Sequence, residues 1–168
     1  MTPVQQTLVL IKPDGICKNL SGHVLNKIAE NKFQLIACKM VKVSTELAQE
    51  HYRDLKDKPF FKDLVIYIQG KYHRVDSILA LVYQGPGAIA GIRAIAGATN
   101  PEEADPTSIR GAFGRITTKG VFENVVHASS SEADAQREIQ LWFAPTEVTA
   151  PIYPSKKVSA QGEVEVWA

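Results

Sequence analysis

Residues 124–143 read NVVHASSSEADAQREIQLWF, and this stretch decides the fold prediction because it joins an apolar run to an amphipathic helix. The two valines before His127 are predicted to end a buried strand. The serines Ser129 to Ser131 can each cap the helix that follows, and Ser129 and Glu132 have the spacing of a capping box. His127 is therefore predicted at a strand-to-helix junction.

The chemistry of His127 has two interpretations at this point. The N-terminus of a helix presents free backbone N–H groups and a positive dipole end, which suit a phosphate, and a neutral imidazole beside it is a candidate nucleophile. A single histidine at a strand end can equally be a partly buried polar residue with satisfied hydrogen bonds. This stretch alone leaves both interpretations open.

Composition restricts the class of protein. The 168 residues are 45% apolar and 22% charged, which predicts one globular domain over residues 1–168. A formal net charge of +1 argues against nucleic acid as the main partner. Two cysteines, Cys17 and Cys38, form neither a disulfide framework nor a zinc site. Because the chain also lacks a signal peptide and a run of about 18 apolar residues, we expect a cytoplasmic protein with no membrane span.

The remaining patterns predict alternating strands and helices. Strands are predicted over residues 7–11, 35–43 and 77–83, and helices over 21–33, 45–55 and 88–96. Residues 60–68 are ambiguous between helix and strand, and the helical spacing of their apolar residues favours a helix. Residues 12–15 are predicted to turn, residues 97–120 to form a long loop and residues 145–168 an irregular tail. This order predicts an α+β fold, a ferredoxin-like split βαβ sandwich. It has a four-stranded antiparallel sheet with helices on one face, plus added helices and the loop.

Several residues at strand ends and in the loop could converge on a polyanion. Lys12 follows the first strand, Arg93 lies on the helix after the third strand, and Arg110 lies in the long loop. Each is more commonly a solvated surface residue, so spacing alone does not assign a site. The glycine-rich stretch at 85–91, GPGAIAG, is neither a P-loop nor a dinucleotide fingerprint and is predicted to form a tight turn and a closely packed helix.

Five motifs in order carry a family resemblance. They are TLVLIKPDG at 7–15, EHYRDLKDKPFF at 50–61, RAIAGATNP at 93–101, SIRGAF at 108–113, and NVVHAS at 124–129 with REIQLWF at 137–143. Together they resemble the nucleoside diphosphate kinase family. The resemblance implies reversible, ping-pong transfer of the γ-phosphate from a nucleoside triphosphate, typically ATP, to a nucleoside diphosphate through a phosphohistidine on His127. Such an enzyme maintains nucleoside triphosphate pools.

The resemblance also implies roles for other residues. Glu138 matches the carboxylate that accepts a hydrogen bond from the second ring nitrogen of the histidine, and Ser129 matches the serine that holds this carboxylate. Tyr52 matches the phenol near the transferred phosphate. The groups that match the family's nucleotide contacts are Lys12, Arg93, Thr99 and Arg110 for phosphate and sugar, Asn124 for the ribose hydroxyls and Phe60 for stacking of the base. Stacking tolerates every base, so broad nucleotide specificity is expected.

The resemblance further implies Mg²⁺ bound through the nucleotide phosphates rather than by a protein cage. It also implies a homo-oligomer, either a tetramer or a hexamer. The chain departs from the common family pattern at Ser130 and Ala112, where many relatives have acids, and at Lys18, where an arginine is common. Extra residues at 71–76 and 115–122 lengthen two connections.

Two alternatives of another class remain. The missing acids at Ser130 and Ala112 fit a catalytically weak, nucleotide-binding regulatory protein on the same fold. A nucleic-acid-binding module is also possible on a ferredoxin-like fold, but the near-neutral charge and the lack of an aromatic strand motif argue against it.

Overall fold

The computed structural model describes residues 3–118, 120–159 and 163–167. The strands are Val4–Ile11 (β1), Gln34–Val41 (β2), Ile78–Pro86 (β3), Arg115–Ile116 (β4), Phe122–Glu123 (β5), Val126–Ala128 (β6), Ser155–Ser159 (β7) and Glu163–Trp167 (β8). The helices are Pro13–Cys17 (α1), Ser21–Ala29 (α2), Thr45–His51 (α3), Phe61–Ile68 (α4), Ala88–Ala96 (α5), Ile109–Phe113 (α6) and Glu132–Trp142 (α7).

The central sheet has four antiparallel strands in the order β2-β3-β1-β6. Strand β1 is interior to this sheet and its last six residues are buried, which explains the continuous apolar run from Leu8 to Ile11 at its end. Successive side chains of β1 enter different cores, because side chains alternate across a sheet. Leu8 and Leu10 belong to one hydrophobic cluster, and Val9 and Ile11 belong to the other.

Helices cover each of these two cores. Helices α2 and α5, the two helices of the split βαβ units, pack on the side of Val9 and Ile11. The added helices α3, α4 and α7 pack on the side of Leu8 and Leu10. The predicted fold class is confirmed, and the ambiguous stretch 60–68 is helical, as its apolar spacing favours.

Three local predictions are wrong. Residues 12–15 do not only turn, because Pro13 begins the short helix α1, where its missing N–H leaves no helical bond unmade. The loop 97–120 contains α6 and β4, and Ser108 caps α6 by accepting a hydrogen bond from Gly111 N. The tail is not irregular either: β7 and β8 form an antiparallel hairpin after a short 3-10 turn at Pro145–Glu147.

The hairpin is attached to the body of the protein through its last described residue. The indole nitrogen of Trp167 donates to the carbonyl oxygen of Phe143 at 2.6 Å, and its ring lies 6.5 Å from that of Tyr153. Alternation of glutamate with valine in β8, which reads EVEVW, is the period expected for β structure. The prolines that precede it obscure this pattern in the sequence.

Candidate active site

A cavity of about 660 Å³ lies where the end of β1, the end of β6, α7 and the long loop meet. All but one of the site residues predicted from the sequence line it: Lys12, Tyr52, Phe60, Arg93, Thr99, Arg110, Asn124, His127 and Glu138. Ser129 is fully buried behind the cavity wall, where its hydroxyl reaches Glu138. The fold therefore brings together residues from five separate motifs.

A strained turn positions the histidine. Val125 has φ of 66°, a conformation that β-branched residues rarely adopt, and Val126 N bonds to Asn124 O at 2.7 Å around it, as in a γ-turn. The fully buried carboxylate of Asp14 holds this turn by accepting from Val125 N at 2.9 Å and from the Tyr67 hydroxyl at 2.5 Å. The turn separates Asn124 from His127 and directs both side chains into the cavity.

His127, Glu138 and Ser129 form one hydrogen-bonded chain. The Nε2 of His127 lies 2.8 Å from Glu138 Oε2, and the Ser129 hydroxyl donates to the same oxygen at 2.7 Å. An ionised carboxylate only accepts hydrogen bonds, so this contact places the imidazole proton on Nε2 and leaves the lone pair on Nδ1. A neutral imidazole with a free Nδ1 is the arrangement that a nucleophile requires.

Ser129 is not the helix cap that its capping-box spacing predicts. Its oxygen instead accepts from Leu8 N at 3.1 Å while its hydroxyl bonds Glu138. The cap of α7 is Ser131, which accepts from Asp134 N at 3.1 Å. Ser130, where many relatives have an acid, donates to the side chain of Asp134, so a carboxylate still lines the cavity, one helical turn further along.

Lys12 is a buried cation with a lowered pKa. Its Nζ donates to Asn124 Oδ1 at 2.7 Å, and its side chain is only 7% exposed. Burial, and then the positive charge of Arg110, lower the pKa of Lys12 to about 7. Arg110 is fixed by bonds to the carbonyls of Gly97 and Val126, and burial together with Arg93 lowers its pKa to about 10.

Two of the predicted groups in the cavity keep buried donors without a partner among the described residues. These donors are the Tyr52 hydroxyl and the Nε of Arg110. Burial, followed by the charge of Glu138, raises the pKa of Tyr52, so its hydroxyl keeps its proton. Buried donors that no protein group satisfies are expected to face a ligand or water.

His51 is a third such donor, and sequence reasoning missed it. The indole N–H of Trp142 donates to His51 Nδ1 at 3.2 Å, so the proton of a neutral His51 is on Nε2, which has no partner among the described residues. Burial, followed by the charge of His127, lowers the pKa of His51 well below its ordinary value. The two imidazole centroids are 4.6 Å apart. No local signal predicts this role, because Trp142 is 91 residues away in sequence.

Apolar side chains line another part of the cavity. Phe60, just before α4, is 50% exposed, and Leu64 lies one turn further along. The lengthened connection contributes Val121 and Phe122 to the same cavity. Exposed aromatic rings beside polar groups are expected where a planar apolar ligand stacks.

The two lengthened connections meet at one buried carboxylate. Glu123 accepts from Arg115 Nε at 2.6 Å and bonds His73 Nε2 at 2.9 Å, and the Lys18 ammonium lies 3.4 Å away. Although burial raises the pKa of Glu123, the hydrogen bonds from Arg115 and His73 outweigh it and lower the pKa to about 2. Lys18, the lysine at the position of a common arginine, thus contributes to this network as a single charge.

Comparison with known proteins identifies relatives of this chain. A sequence model of the family described as nucleoside diphosphate kinase matches residues 5–148. The nucleoside diphosphate kinase of Moorella thermoacetica is 40% identical over 145 residues, which is 86% of this chain and 98% of that protein. The enzyme of Pyrococcus horikoshii is 37% identical, over 88% of this chain and 90% of that protein.

Solved structures show the same similarity. A transition state mimic of the nucleoside diphosphate kinase from Borrelia burgdorferi, with bound vanadate and ADP, superposes with a TM-score of 0.79 at 32% identity and covers 88% of this chain and 92% of that chain. The Aquifex aeolicus enzyme superposes with a TM-score of 0.78 at 37% identity, over 87% of this chain and 99% of that chain.

Proposed function

This chain belongs to the nucleoside diphosphate kinase family and has that activity, and we propose that it transfers the phosphoryl group in two steps through a phosphohistidine on His127. The observation that carries the proposal is the chain from Ser129 through Glu138 to the Nε2 of His127. These two hydrogen bonds leave the Nδ1 of His127 with a free lone pair beside a cavity lined by cations. Kinase activity, rather than a regulatory role or nucleic-acid binding, is the function that the relatives share.

In the first step, Nδ1 of His127 attacks the γ-phosphorus of a nucleoside triphosphate. A bond from Nδ1 to phosphorus forms, and the bond to the bridging oxygen breaks, so that a nucleoside diphosphate leaves with the electron pair. Glu138 accepts the Nε2 proton in a hydrogen bond, which stabilises the positive charge that develops on the ring. In the second step, a terminal phosphate oxygen of another diphosphate attacks the phosphohistidine, and Nδ1 recovers its lone pair.

The cations and donors of the cavity would neutralise the transferred group. Phosphoryl transfer depends mainly on positioning and on stabilisation of charge spread over the phosphate oxygens. Lys12 and Arg110 are held by protein hydrogen bonds before any ligand arrives, so little reorganisation is required. We assign the phosphates to Lys12, Arg93 and Arg110 and the transferred group also to the Tyr52 hydroxyl. Thr99 and Asn124, whose amide donates to Thr99 O at 2.8 Å, are assigned to the sugar.

The base is proposed to stack on Phe60. This ring is half exposed at the cavity wall, and stacking on an aromatic face does not distinguish one base from another. Broad nucleotide specificity is the expected consequence.

Mg²⁺ is proposed to enter with the nucleotide, bound to phosphate oxygens and water. Within the described ranges, one cluster of metal-ligand type faces the cavity, namely His51, His127 and Glu138. Two of its members are nitrogen ligands, whereas Mg²⁺ prefers oxygen. The hydrogen bond from Trp142 also keeps the proton on His51 Nε2, so this cluster does not fit a magnesium ion. When bound, Mg²⁺ would neutralise phosphate charge.

The assembly and location of the protein are also inferred. We infer a homo-oligomer, a tetramer or hexamer, and its support is the exposure of Leu35 and Met40 on the edge strand β2. We infer one domain over residues 1–168, supported by two cores that share β1 and β3. Among the described residues, no helix is long and apolar enough to cross a membrane. Two free cysteines support a cytoplasmic location.

Transfer of a labelled phosphate tests the proposal. Protein incubated with ATP labelled on the γ-phosphate is expected to acquire an acid-labile, base-stable label that passes to added GDP. His127→Ala should remove the label, because no other described imidazole has this environment at the cavity. His23→Ala, which changes an exposed histidine outside the cavity, is the matched control and should keep the label. An unlabelled wild-type protein, or a labelled His127→Ala variant, would refute the proposed phosphohistidine.

A further inference from the structure

Arg137 is a cation in the cavity that stands in the motif REIQLWF but has no role among the nucleotide contacts proposed above. It lies on α7, next to Glu138 in sequence, and its side chain is only 18% exposed. Its guanidinium lies 3.7 Å from Glu138 Oε1, which is the oxygen that does not contact His127 or Ser129. The two oxygens of Glu138 thus have different partners, two hydrogen-bond donors on one side and a positive charge on the other.

The same guanidinium connects α7 to the end of α3 and to the turn that follows it. It donates to the carbonyl oxygen of Glu50 at 3.3 Å, and it lies 3.7 Å from Asp54 and 4.0 Å from Asp134. Three carboxylates, on Asp54, Asp134 and Glu138, therefore surround one guanidinium. Asp134 and Glu138 are also one helical turn apart on α7, a spacing at which like charges repel.

Glu138 is the member of this group that most needs compensation. Its side chain is 5% exposed, whereas those of Asp54 and Asp134 are 70% and 30% exposed and can be solvated by water. A buried carboxylate is stable in its charged form only when opposite charge and hydrogen bonds replace the lost water. Without Arg137, Glu138 would keep two donors but would face two like charges with no cation between them.

We propose that Arg137 is a positioning residue that keeps Glu138 ionised and oriented, so that the proton of His127 stays on Nε2. An ionised Glu138 can only accept, and it therefore fixes the tautomer that leaves Nδ1 free. A protonated Glu138 could donate to the imidazole, which would place the lone pair on Nε2 and the proton on Nδ1. Arg137 acts through Glu138 and does not contact the reacting atoms. This inference rests on the proposed roles of His127 and Glu138.

Other titratable groups also face this pair. They are His127 on β6, His51 and Tyr52 at the end of α3, Asp54 in the following turn, Asp134 on α7 and Lys12 after β1. His51 and Tyr52 stay neutral around neutral pH, as the directions of their pKa shifts indicate. Lys12 loses charge as pH rises, so its titration affects the alkaline side of a pH profile. On the acid side Lys12 keeps its charge, so the variants are compared on that limb.

The test compares pH profiles of kcat/KM for Arg137→Gln and Arg137→Lys with the wild type. Gln keeps a donor for the Glu50 carbonyl but removes the charge, and Lys keeps the charge. We expect the acid limb of Arg137→Gln to move about one pH unit towards higher pH, which is about a tenfold loss on the limb, and the profiles to converge within about twofold on the plateau. Arg137→Lys should recover most of the shift.

Arg53→Gln is the matched control. Arg53 pairs with the side chain of Glu50 at 2.9 Å and lies 3.8 Å from Asp54, but it is half exposed and does not line the cavity. We expect its acid limb to coincide with the wild type. An equal loss at every pH in Arg137→Gln would overturn the proposal, because it would indicate a structural connection only, and so would a shift of the same size in Arg53→Gln.

The thermal midpoint of each variant is measured alongside the pH profiles. If Arg137→Gln does not fold, Arg137→Lys is compared with Arg137→Met, which has no charge. An acid limb of Arg137→Lys that coincides with the wild type supports the charge role. An acid limb of Arg137→Lys that coincides with that of the folded Arg137→Met protein refutes it. A failure of the roles proposed for His127 and Glu138 would be seen in a different measurement. Wild-type protein without phosphohistidine, or an active His127→Gln variant, would refute those roles whatever the Arg137 profiles show.

Discussion

Binding of a nucleoside diphosphate at pH 8 is expected to transfer almost one proton from solvent to each active site. The proton is expected on Lys12, because burial and the charge of Arg110 lower its pKa to about 7 in the free protein. Phosphate oxygens beside Nζ favour the charged form, and they should return the pKa towards its ordinary value.

The size of this effect follows from the two protonation states. With a pKa of about 7, Lys12 is charged in about a tenth of free molecules at pH 8, and with a pKa near 10 it is charged in nearly all complexes. The uptake is therefore about 0.9 proton per site at pH 8. At pH 6 about nine tenths of the free protein already has the charge, so uptake by Lys12 falls to about 0.1 proton. Phosphate monoesters ionise near pH 6, so the nucleotide itself does not exchange protons at pH 8.

Isothermal titration calorimetry measures this uptake directly. The observed binding enthalpy of ADP is plotted against the ionisation enthalpy of several buffers at pH 8, and the slope is the number of protons bound. We expect a slope of about 0.9 for the wild type, a value near zero for Lys12→Met, and the wild-type value for Lys62→Met, which changes an exposed lysine. A wild-type slope near zero at pH 8, or one that does not fall at pH 6, would refute the reasoning.

Three further predictions concern His51, Glu123 and Asp14. His51 is expected to stay neutral at pH 6 with its proton on Nε2, because burial lowers its pKa and Trp142 donates to Nδ1. The ¹⁵N chemical shifts of the ring report its charge and its tautomer, and a charged ring at pH 6 would contradict the prediction. Glu123→Gln is expected to lower the free energy of unfolding by about 1–2 kcal/mol at pH 7, since the partners Arg115 and Lys18 are partly solvated. Because the pKa of Glu123 is lowered from 4.5 to about 2, its contribution to stability is present above pH 4.5 and is lost as pH falls through 2. Urea unfolding would contradict this if the wild type and Glu123→Gln differed in free energy of unfolding by the same amount at pH 7 and at pH 2.5. Asp14→Ala leaves two buried donors unpaired and is expected to cost about 2–4 kcal/mol in the same assay, whereas the exposed-site variant Asp57→Ala should change little.

The sequence predicts the elements whose signal is local. Strand β1 ends in the continuous apolar run Leu8 to Ile11 because both its faces are buried there, and α4 has a full apolar stripe at helical spacing. Helix α6 is only five residues long and depends on its Ser108 cap and on tertiary packing, so its local periodicity is too weak to detect. The choice between Ser129 and Ser131 as the cap of α7 could not be predicted, because it depends on Leu8 and Glu138, which only the fold brings to Ser129.

The residues of the site also divide into those that the sequence predicts and those that it does not. The groups that the motifs identify converge in the cavity because strand ends and the long loop meet there. His51 and Arg137 were not predicted, since each takes its meaning from partners on other elements, Trp142 for one and the turn at Asp54 for the other. The motifs identify Glu138 and Ser129, which orient His127, but they assign no role to His51 and Arg137, whose partners lie on other elements.

The ligand-free cavity has less charge than its composition suggests, and this links folding to substrate binding. Lys12 is about half charged at pH 7, and the lowered pKa of His51 and raised pKa of Tyr52 keep both groups neutral. The protein thereby avoids part of the cost of burying several charges together. When phosphate enters, Lys12 gains its proton, and the unpaired donors of His51, Tyr52 and Arg110 lie where an anion can accept from them. Binding energy from the polyphosphate is thus obtained from groups that would destabilise the empty protein if they were fully charged. Nucleotide should therefore raise the thermal midpoint most below pH 7, because the free protein there already has the Lys12 charge without an anion to compensate it.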